Sequence, residues 1–369
     1  MRAILSCAGT GGHIYPAIAI ADQIRRMEPD SEILFIGTKT GMENRLVPAA
    51  GYAIRGIDAS GFNRKNLLKN VKTAVNLARG GRETEAILKE FQPDVVIGTG
   101  GYVTGTVVRK ASKMGIPCYI HEQNVVPGMA NKMLEQYVKK VFISFEGSRE
   151  HFKEADKLVL SGNPIRKAFL DADTSGAREQ LGLAPDDFLL LITGGSLGAE
   201  VPNLASLDLI AHLAKNPQLR QNANIFFVTG KRYYEEIKEK ADRITGTGEW
   251  FRVIDYADNM PVLMSASDLI VSRAGAIALS EITASGKPSV LIPSPNVTNN
   301  HQYYNAKALA DAGAAVLIEE SSLQEGYAPF VDAVEQLMAD RARLDAMAAQ
   351  SKQLGRTDAV DIIYKNIKM

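Results

Sequence analysis

Three glycine-rich turns, one of which ends in a histidine, are the segments of this sequence best suited to chemistry. They span residues 9–13 (GTGGH), 98–102 (GTGGY) and 194–198 (GGSLG), and each follows a short apolar run. Because glycines carry no side chain, backbone N–H groups at the start of the next helix can approach a phosphate or a sugar. Two turns lie in the first third of the chain and one lies just past its middle, which predicts two different ligands.

His13 is the first candidate for a catalytic base. It follows Gly12, and Pro16 comes three residues later, where it suits the first turn of a helix. The positive end of a helix dipole favours a neutral imidazole, and a neutral imidazole can accept a proton. The alternative is a structural histidine that caps the turn.

Four polar residues at 121–124 (HEQN) follow an apolar, strand-like run and form a second candidate site. Such a run is difficult to explain by packing, and Glu122 within it is the second candidate base. The zinc-binding pattern His-Glu-x-x-His is absent because Val125 stands where the second histidine is required. The alternative is a polar loop that only caps the strand.

The third turn matches neither the dinucleotide pattern Gly-x-Gly-x-x-Gly nor the phosphate-binding pattern that ends in Gly-Lys-Ser/Thr. The interpretation of this turn as a phosphate site is supported by a later turn at residues 272–276 (SRAGA). That later turn begins a helix that carries Glu281. These two helix starts could hold a diphosphate, and the Glu281 carboxylate could bind a ribose diol.

Two further polar segments are candidates for ligand contacts. Residues 299–305 (NNHQYYN) are suited to reading sugar hydroxyls, or they are a solvated helix start. Asp171 and Asp173 have the Asp-x-Asp form that chelates a metal diphosphate in some sugar-transfer enzymes. Because they lie in a polar linker with no strand end to orient them, no metal site is predicted.

Strands that alternate with helices position all of these residues. Twelve short apolar runs, six in each half of the chain, predict an α/β protein with two parallel sheets covered on both faces. The Gly-Asn-Pro turn at 162–164 marks the join, so we expect domains at 1–163 and 164–355. Residues 356–369 contain an amphipathic helix that could pack back on the first domain.

Composition restricts the classes of function. The 369 residues include only two cysteines, in apolar runs, which favours a reducing compartment. Residues 63–82 carry six Lys and Arg, no Asp or Glu and several aliphatic residues, a pattern that suits an anionic membrane surface or a solvated helix. No nucleic acid is expected, because that segment lacks aromatic residues and the formal net charge is zero. No run is long enough to span a membrane.

Taken together, the order and spacing of these motifs resemble the peptidoglycan N-acetylglucosaminyltransferases of glycosyltransferase family 28. The match extends over nearly the whole chain and includes residues 9–13, 98–102, 121–124, 162–166, 194–199 and 273–276. The resemblance implies a GT-B fold, in which two Rossmann-like domains face each other across a cleft. It implies that the N-terminal domain holds the lipid acceptor and contacts the membrane, and that the C-terminal domain holds most of the donor UDP-GlcNAc. It implies transfer of N-acetylglucosamine from UDP-GlcNAc to the C4 hydroxyl of undecaprenyl-diphospho-N-acetylmuramoyl pentapeptide, by an inverting reaction without a metal or other cofactor. The enzyme is then expected at the cytoplasmic face of the cell membrane as a peripheral protein.

The resemblance also implies roles for individual residues. His13, or else Glu122, is the base, and Thr10, Gly11 and Gly12 line the cleft. Ser196 and Arg166 contact the diphosphate, Glu281 the ribose, and the Ala257 backbone the uracil. Asn124, His301 and Gln302 contact sugars, and the matched motifs add Tyr102, Arg273 and Ala276 to the substrate-binding set. Two alternatives remain: a UDP-N-acetylglucosamine 2-epimerase, and a catalytically inactive membrane scaffold.

Overall fold

Two parallel β-sheets organise the chain in a computed structural model. The structure describes residues 1–59, 67–166, 169, 173–195, 197–220, 222–245 and 250–368, and among these the side chains of 67–75 and 245 lie outside the description. One compact unit comprises Met1–Lys167 with Thr357–Met369, and the other comprises Ala168–Arg356. The two sheets confirm the predicted α/β class.

The first unit contains a seven-stranded sheet in the order β3-β2-β1-β4-β5-β6-β7. Its interior strands are nearly continuous apolar runs, as expected for strands covered by helices on both faces. Ile4 at the centre pairs with Leu34 on one side and Val96 on the other. The strands are β1 (Arg2–Cys7), β2 (Glu32–Thr38), β3 (Ala53–Ile57), β4 (Val95–Gly100), β5 (Cys118–Glu122), β6 (Lys140–Ile143) and β7 (Leu158–Leu160). The helices are α1 (Gly11–Met27), α2 (Glu43–Ala49), α3 (Leu67–Phe91), α4 (Tyr102–Lys113) and α5 (Met129–Leu134).

The second unit contains a six-stranded parallel sheet in the order β10-β9-β8-β11-β12-β13. Its strands are β8 (Phe188–Thr193), β9 (Ala223–Val228), β10 (Phe251–Ile254), β11 (Leu269–Ser272), β12 (Ser289–Leu291) and β13 (Ala315–Leu317). The helices are α6 (Ala177–Gln180), α7 (Glu200–Lys215), α8 (Pro217–Arg220), α9 (Tyr234–Thr245), α10 (Met260–Ala266), α11 (Ala276–Ala284), α12 (His301–Asp311), α13 (Ala328–Ala339) and α14 (Arg341–Leu354).

The final helix, α15 (Ala359–Ile367), belongs to the first unit. Its residue Ile363 is fully buried in the core beneath α1. The Gln23 amide donates a 2.6 Å hydrogen bond to Asp361, and the Tyr364 hydroxyl donates one of 2.8 Å to Glu28. The chain therefore leaves the first unit near residue 167 and returns to it near residue 357.

In each sheet, the strand order reverses direction at one place, between β1 and β4 in the first unit and between β8 and β11 in the second. Open α/β sheets bind ligands beyond the carboxyl ends of the strands at such a reversal. The glycine-rich turns at 9–13 and 194–198 follow β1 and β8, and the one at 98–102 begins within β4 and continues past its end. Within the described residues, no helix has the length and apolar character needed to cross a membrane.

Candidate functional site

The two glycine-rich turns of the first unit contact each other directly. The Ala8 amide donates a 3.2 Å hydrogen bond to the carbonyl of Gly100. Gly101 has φ +89°, and a Cβ atom there would lie 2.5 Å from the Ala8 carbonyl oxygen. Glycine is therefore required at this position both for its backbone conformation and for the close approach.

His13 lies in the first turn of α1 with both its ring and its carbonyl held by these turns. Its Nδ1 lies 3.0 Å from the Ala8 carbonyl oxygen, which can only accept a hydrogen bond. Nδ1 must therefore carry the proton, so in the neutral ring Nε2 has the lone pair that a base needs. The ring packs on Gly100, and the Thr99 hydroxyl donates a 2.7 Å hydrogen bond to the His13 carbonyl.

Glu122, the second candidate base, is buried at the end of β5 and accepts four hydrogen bonds. The Asn124 amide and side chain bind Oε1 at 3.0 and 3.2 Å. The Gly128 amide and the Asn131 side chain bind Oε2 at 3.0 and 2.9 Å. These bonds hold the loop that carries Asn124, and they occupy both carboxylate oxygens, which favours His13 over Glu122 as the base.

His121 and Gln123 connect that loop to the second glycine-rich turn. The Gln123 amide group donates to the Thr99 carbonyl at 2.7 Å and to His121 Nδ1 at 3.0 Å. His121 Nε2 donates to the Gly162 carbonyl at 3.0 Å. Burial lowers the pKa of His121 to about 4, so its ring is neutral near pH 7. The alternative of a polar loop that only caps a strand does not describe this network, which reaches as far as Thr99.

The sequence analysis missed Glu43, a residue that contacts the first glycine-rich turn. Glu43, at the start of α2, is fully buried, and its Oε2 accepts a 3.3 Å hydrogen bond from the Gly9 amide. Its Oε1 accepts hydrogen bonds from the amide and hydroxyl of Thr38 at 2.9 and 2.6 Å. The only local signal was an acidic residue close to glycines at the end of a strand.

In the second unit, the turn after β8 packs against the turn after β9. Gly198 has φ +72°, and a Cβ atom there would lie 2.0 Å from the Thr229 carbonyl oxygen. The turn leads into α7, while Leu197 beside it is 78% exposed. Ser196 lies outside the described residues. Ala257 is buried in the turn after β10.

The turn after β11 opens α11, which has Ala276 as its first residue and the buried Glu281 on it. Asn305, on α12, donates a 3.3 Å hydrogen bond to the Ala274 carbonyl and fixes this turn. The Arg273 side chain forms an ion pair with Glu320 and donates to the Ile292 carbonyl at 3.1 Å. Its guanidinium therefore holds neighbouring segments together in this structure.

The two polar side chains at the start of α12 bind nearby backbone. Gln302 accepts a 2.9 Å hydrogen bond from the Ser294 amide, and His301 Nδ1 lies 2.9 Å from the Thr298 carbonyl oxygen. Each of these side chains therefore uses one polar atom to bind local backbone, and their contact with a sugar stays a prediction.

The remaining site candidates are spread between the two units. Thr10, Gly11, Gly12, Tyr102 and Asn124 lie in the first unit with His13, at the carboxyl ends of β1, β4 and β5. Arg166 is also in the first unit, with its guanidinium carbon 5.9 Å from the centre of the Tyr15 ring. The second unit holds Ala257, Arg273, Ala276, Glu281, His301 and Gln302.

The Asp-x-Asp pair can be described only in part. Asp171 lies outside the described residues, and Asp173 accepts a 2.9 Å hydrogen bond from the Ser175 amide. Among the residues that the structure describes, no three His, Cys, Asp or Glu side chains are grouped so that they could hold a metal ion.

Two family models match most of the chain. The glycosyltransferase family 28 N-terminal domain matches residues 3–143, and the C-terminal domain of the same family matches residues 189–363. A relative from Thermoanaerobacter sp. (strain X514) is 43% identical over 369 residues, which are 100% of this chain and 99% of the relative. It is named UDP-N-acetylglucosamine--N-acetylmuramyl-(pentapeptide) pyrophosphoryl-undecaprenol N-acetylglucosamine transferase. A relative with the same name from Clostridioides difficile (strain 630) is 42% identical over 100% of this chain and 88% of its own length.

Solved structures give the same result for the fold. The crystal structure of Acinetobacter baumannii MurG has a TM-score of 0.80 and 28% identity, and the alignment covers 100% of this chain and 99% of that one. A UDP-GlcNAc 2-epimerase from Neisseria meningitidis has a TM-score of 0.69 at 17% identity over 100% of both chains, a likeness of fold alone. The expected GT-B fold with two Rossmann-like domains is confirmed. From these full-length matches, the chain belongs to glycosyltransferase family 28 and is a glycosyltransferase.

Proposed function

We propose that this chain transfers N-acetylglucosamine from UDP-GlcNAc to the C4 hydroxyl of undecaprenyl-diphospho-N-acetylmuramoyl pentapeptide. The observation that carries the proposal is the similarity to relatives with that activity in their names, at 40–43% identity over the chain. The epimerase alternative rests on neighbours of 14–17% identity, which share only the fold.

In the proposed reaction, the acceptor hydroxyl gives its proton to His13 Nε2 as its oxygen attacks the anomeric carbon of the donor. The bond from that carbon to the diphosphate oxygen breaks, UDP leaves with the electron pair, and the anomeric configuration inverts. The Nδ1 hydrogen bond to Ala8 supports this role because it leaves Nε2 as the basic nitrogen. A positioned base typically contributes about 10²–10⁴-fold to the rate.

We assign the leaving diphosphate to the second unit. Backbone N–H groups at the starts of α7 and α11 can stabilise the charge that develops on it without a metal ion. Glu281 on α11 is assigned to the ribose, and the Ala257 backbone to the uracil. Glu122 acts by holding the Asn124 loop, since its two oxygens already accept four hydrogen bonds.

The decisive experiment follows label from radiolabelled UDP-GlcNAc into a lipid-linked muramoyl acceptor, with and without EDTA. His13→Ala should lower kcat by about 10²–10⁴-fold while UDP binding is kept. Lipid label that persists in EDTA supports the metal-free reaction. Epimerised sugar formed without any acceptor would identify an epimerase. If the unaltered chain does not bind UDP, the alternative of a catalytically inactive membrane scaffold would be favoured.

We also propose that the protein acts peripherally at the cytoplasmic face of the cell membrane through residues 63–82. Residues 63–66 and the side chains of 67–75 lie outside the description, and the six Lys and Arg of the segment, without any Asp or Glu, support the proposal. In the described part, Arg79 lies 3.5 Å from Asp58, and Arg82 is exposed. The test is cosedimentation of the protein with anionic and with neutral vesicles. Charge reversal at Lys69 and Lys72 should abolish binding to the anionic vesicles and leave any binding to neutral vesicles unchanged.

A further inference from the structure

A buried carboxylate lies directly behind the turn that holds His13. Glu43 is fully buried, and glycines make room for it: a Cβ atom at Gly41 would lie 2.2 Å from both carboxylate oxygens. At Gly37, a Cβ atom would lie 2.6 Å from the Glu43 Cγ. Burying a carboxylate costs free energy unless hydrogen bonds compensate for the lost water. The protein thus devotes a specific pocket to this charge.

The hydrogen bonds of Glu43 keep it ionised. Burial raises the pKa of Glu43, but the hydrogen bonds that it accepts from Thr38, from its own backbone and from Gly9 outweigh burial. Its pKa therefore lies below the ordinary value for glutamate, and the group carries a negative charge near pH 7.

One peptide group separates this charge from the candidate base. The Gly9 amide that donates to Glu43 and the Ala8 carbonyl that accepts from His13 belong to the same Ala8–Gly9 peptide unit. In a trans peptide the N–H and the C=O point in opposite directions, so the unit connects groups on its two sides. The chain of contacts runs from Glu43 Oε2 to the Gly9 N at 3.3 Å, and from the Ala8 O to His13 Nδ1 at 3.0 Å.

We propose that Glu43 is a positioning residue for His13 and acts on it through the Ala8–Gly9 peptide group. The inference rests on the proposed function of His13 as the base. A charged acceptor on the N–H side polarises the peptide, which strengthens its carbonyl as an acceptor for the imidazole. The stronger bond holds the ring in one orientation and in the Nδ1–H tautomer, with Nε2 ready to take the proton.

The competing explanation is that Glu43 only secures the end of β2 through Thr38. A double-mutant cycle separates the two roles, because residues that act as a unit give non-additive effects. In Glu43→Gln, the amide oxygen can still accept from Thr38, while the new NH₂ group faces the Gly9 N–H, which is also a donor. The substitution therefore removes the bond to the peptide group and nearly preserves side-chain volume.

The experiment measures kcat for label transfer to the lipid-linked acceptor in E43Q, H13A and the double variant, each corrected for the folded fraction. We expect E43Q to lower kcat about tenfold in the otherwise unaltered protein and less than twofold in H13A. The matched control is Glu135→Gln, another buried carboxylate of the first unit. It accepts backbone N–H bonds from Lys153 and Glu154 at 2.7 and 2.6 Å. The E135Q effect should be equal in both backgrounds.

Each outcome distinguishes this proposal from the proposed function. Full activity of H13A would overturn the assignment of the base and, with it, the role of Glu43. A large H13A effect with equal E43Q losses in both backgrounds would overturn the role of Glu43 alone. If E43Q does not fold, E43D, which withdraws the carboxylate from Gly9 by one methylene, takes its place in the same cycle.

A second readout does not depend on turnover. Ring ¹⁵N shifts of the five histidines, with the His13 signal assigned by its loss in H13A, report tautomer and Nδ1 hydrogen bonding. We expect a single Nδ1–H tautomer for His13 and a weakened Nδ1 hydrogen bond in E43Q. Unchanged His13 shifts in folded E43Q would refute the connection.

Discussion

Gly100→Ala is the substitution that tests most directly whether the orientation of His13 controls the rate. Gly100 lies at the end of β4 with φ +125°, and its missing side chain leaves room for the imidazole. A Cβ atom at this position would lie 2.5 Å from the Cδ2 and 2.8 Å from the Nε2 of His13. The added methyl group therefore conflicts with the nitrogen that is proposed to take the proton.

The size of the effect follows from these distances. Carbon atoms make favourable contact at about 3.5–4.0 Å, so the ring must move by roughly 1 Å. A misplacement of about 1 Å can cost about 10²-fold in rate. The left-handed backbone conformation should add about 1–3 kcal/mol of strain and lower the free energy of unfolding accordingly.

The assay compares kcat and the donor KM of G100A with those of a matched glycine variant. Gly115, in the turn after α4, has φ +80°, and a Cβ atom there meets no described atom within 4 Å. Gly115→Ala should show similar backbone strain and an unchanged kcat. G100A should lose about 10²-fold in kcat and keep its donor KM, because the donor is assigned to the second unit.

A G100A enzyme that folds and turns over at the normal rate would refute the reasoning. An equal loss of kcat in G115A would also refute it, because strain alone would then explain both results.

Three further predictions concern the other parts of the two sites. Gly198→Ala, where a Cβ atom would lie 2.0 Å from the Thr229 carbonyl oxygen, should weaken UDP binding at least about tenfold by calorimetry. Gly182→Ala, with the same φ of +72° and no described atom within 4 Å of its Cβ, should leave UDP binding unchanged. The pKa of His121 is about 4 in the folded chain against 6.5 for an ordinary histidine, so the unfolded chain binds more protons between these values. Its contribution to stability should therefore fall as pH decreases from 6.5 to 4, by up to about 1.4 kcal/mol per pH unit. When the free energy of unfolding is measured with urea at several pH values, it should depend less steeply on pH in His121→Gln than in the unaltered protein. Glu122→Gln replaces one carboxylate oxygen by an NH₂ group, which then faces two of the four hydrogen-bond donors. The acceptor KM should therefore rise by about tenfold, while kcat should fall less than in His13→Ala. Equal losses of kcat in the two variants would contradict the positioning role of Glu122.

Local patterns were enough to predict the α/β class. Strands such as β1 and β8 are continuous apolar runs that end in a glycine-rich turn, and both signals lie within about ten residues. Strand β3 was missed because only Ile57 of its five residues is buried. This edge strand forms by pairing with β2, and the residues of β3 alone do not show that pairing.

Contacts between distant residues could not be read from one sequence. Glu43 meets Gly9 across 34 positions, and nothing near either residue indicates the other. The pattern around Arg273 predicts a phosphate-binding turn after a strand, yet the Arg273 side chain pairs with Glu320, 47 positions away. Hydrogen bonds within a turn, such as that between His13 and Ala8, span few residues and are therefore closer to what sequence can indicate.

The return of α15 to the first unit affects how a nascent chain can fold. Ile363, Tyr364 and Ile367 complete the core cluster that includes Ile20 and Ile24 of α1. A ribosome must therefore synthesise the entire second unit before these α15 residues can pack on α1. The core of the unit that carries His13 cannot be completed until residues 357–368 have been made.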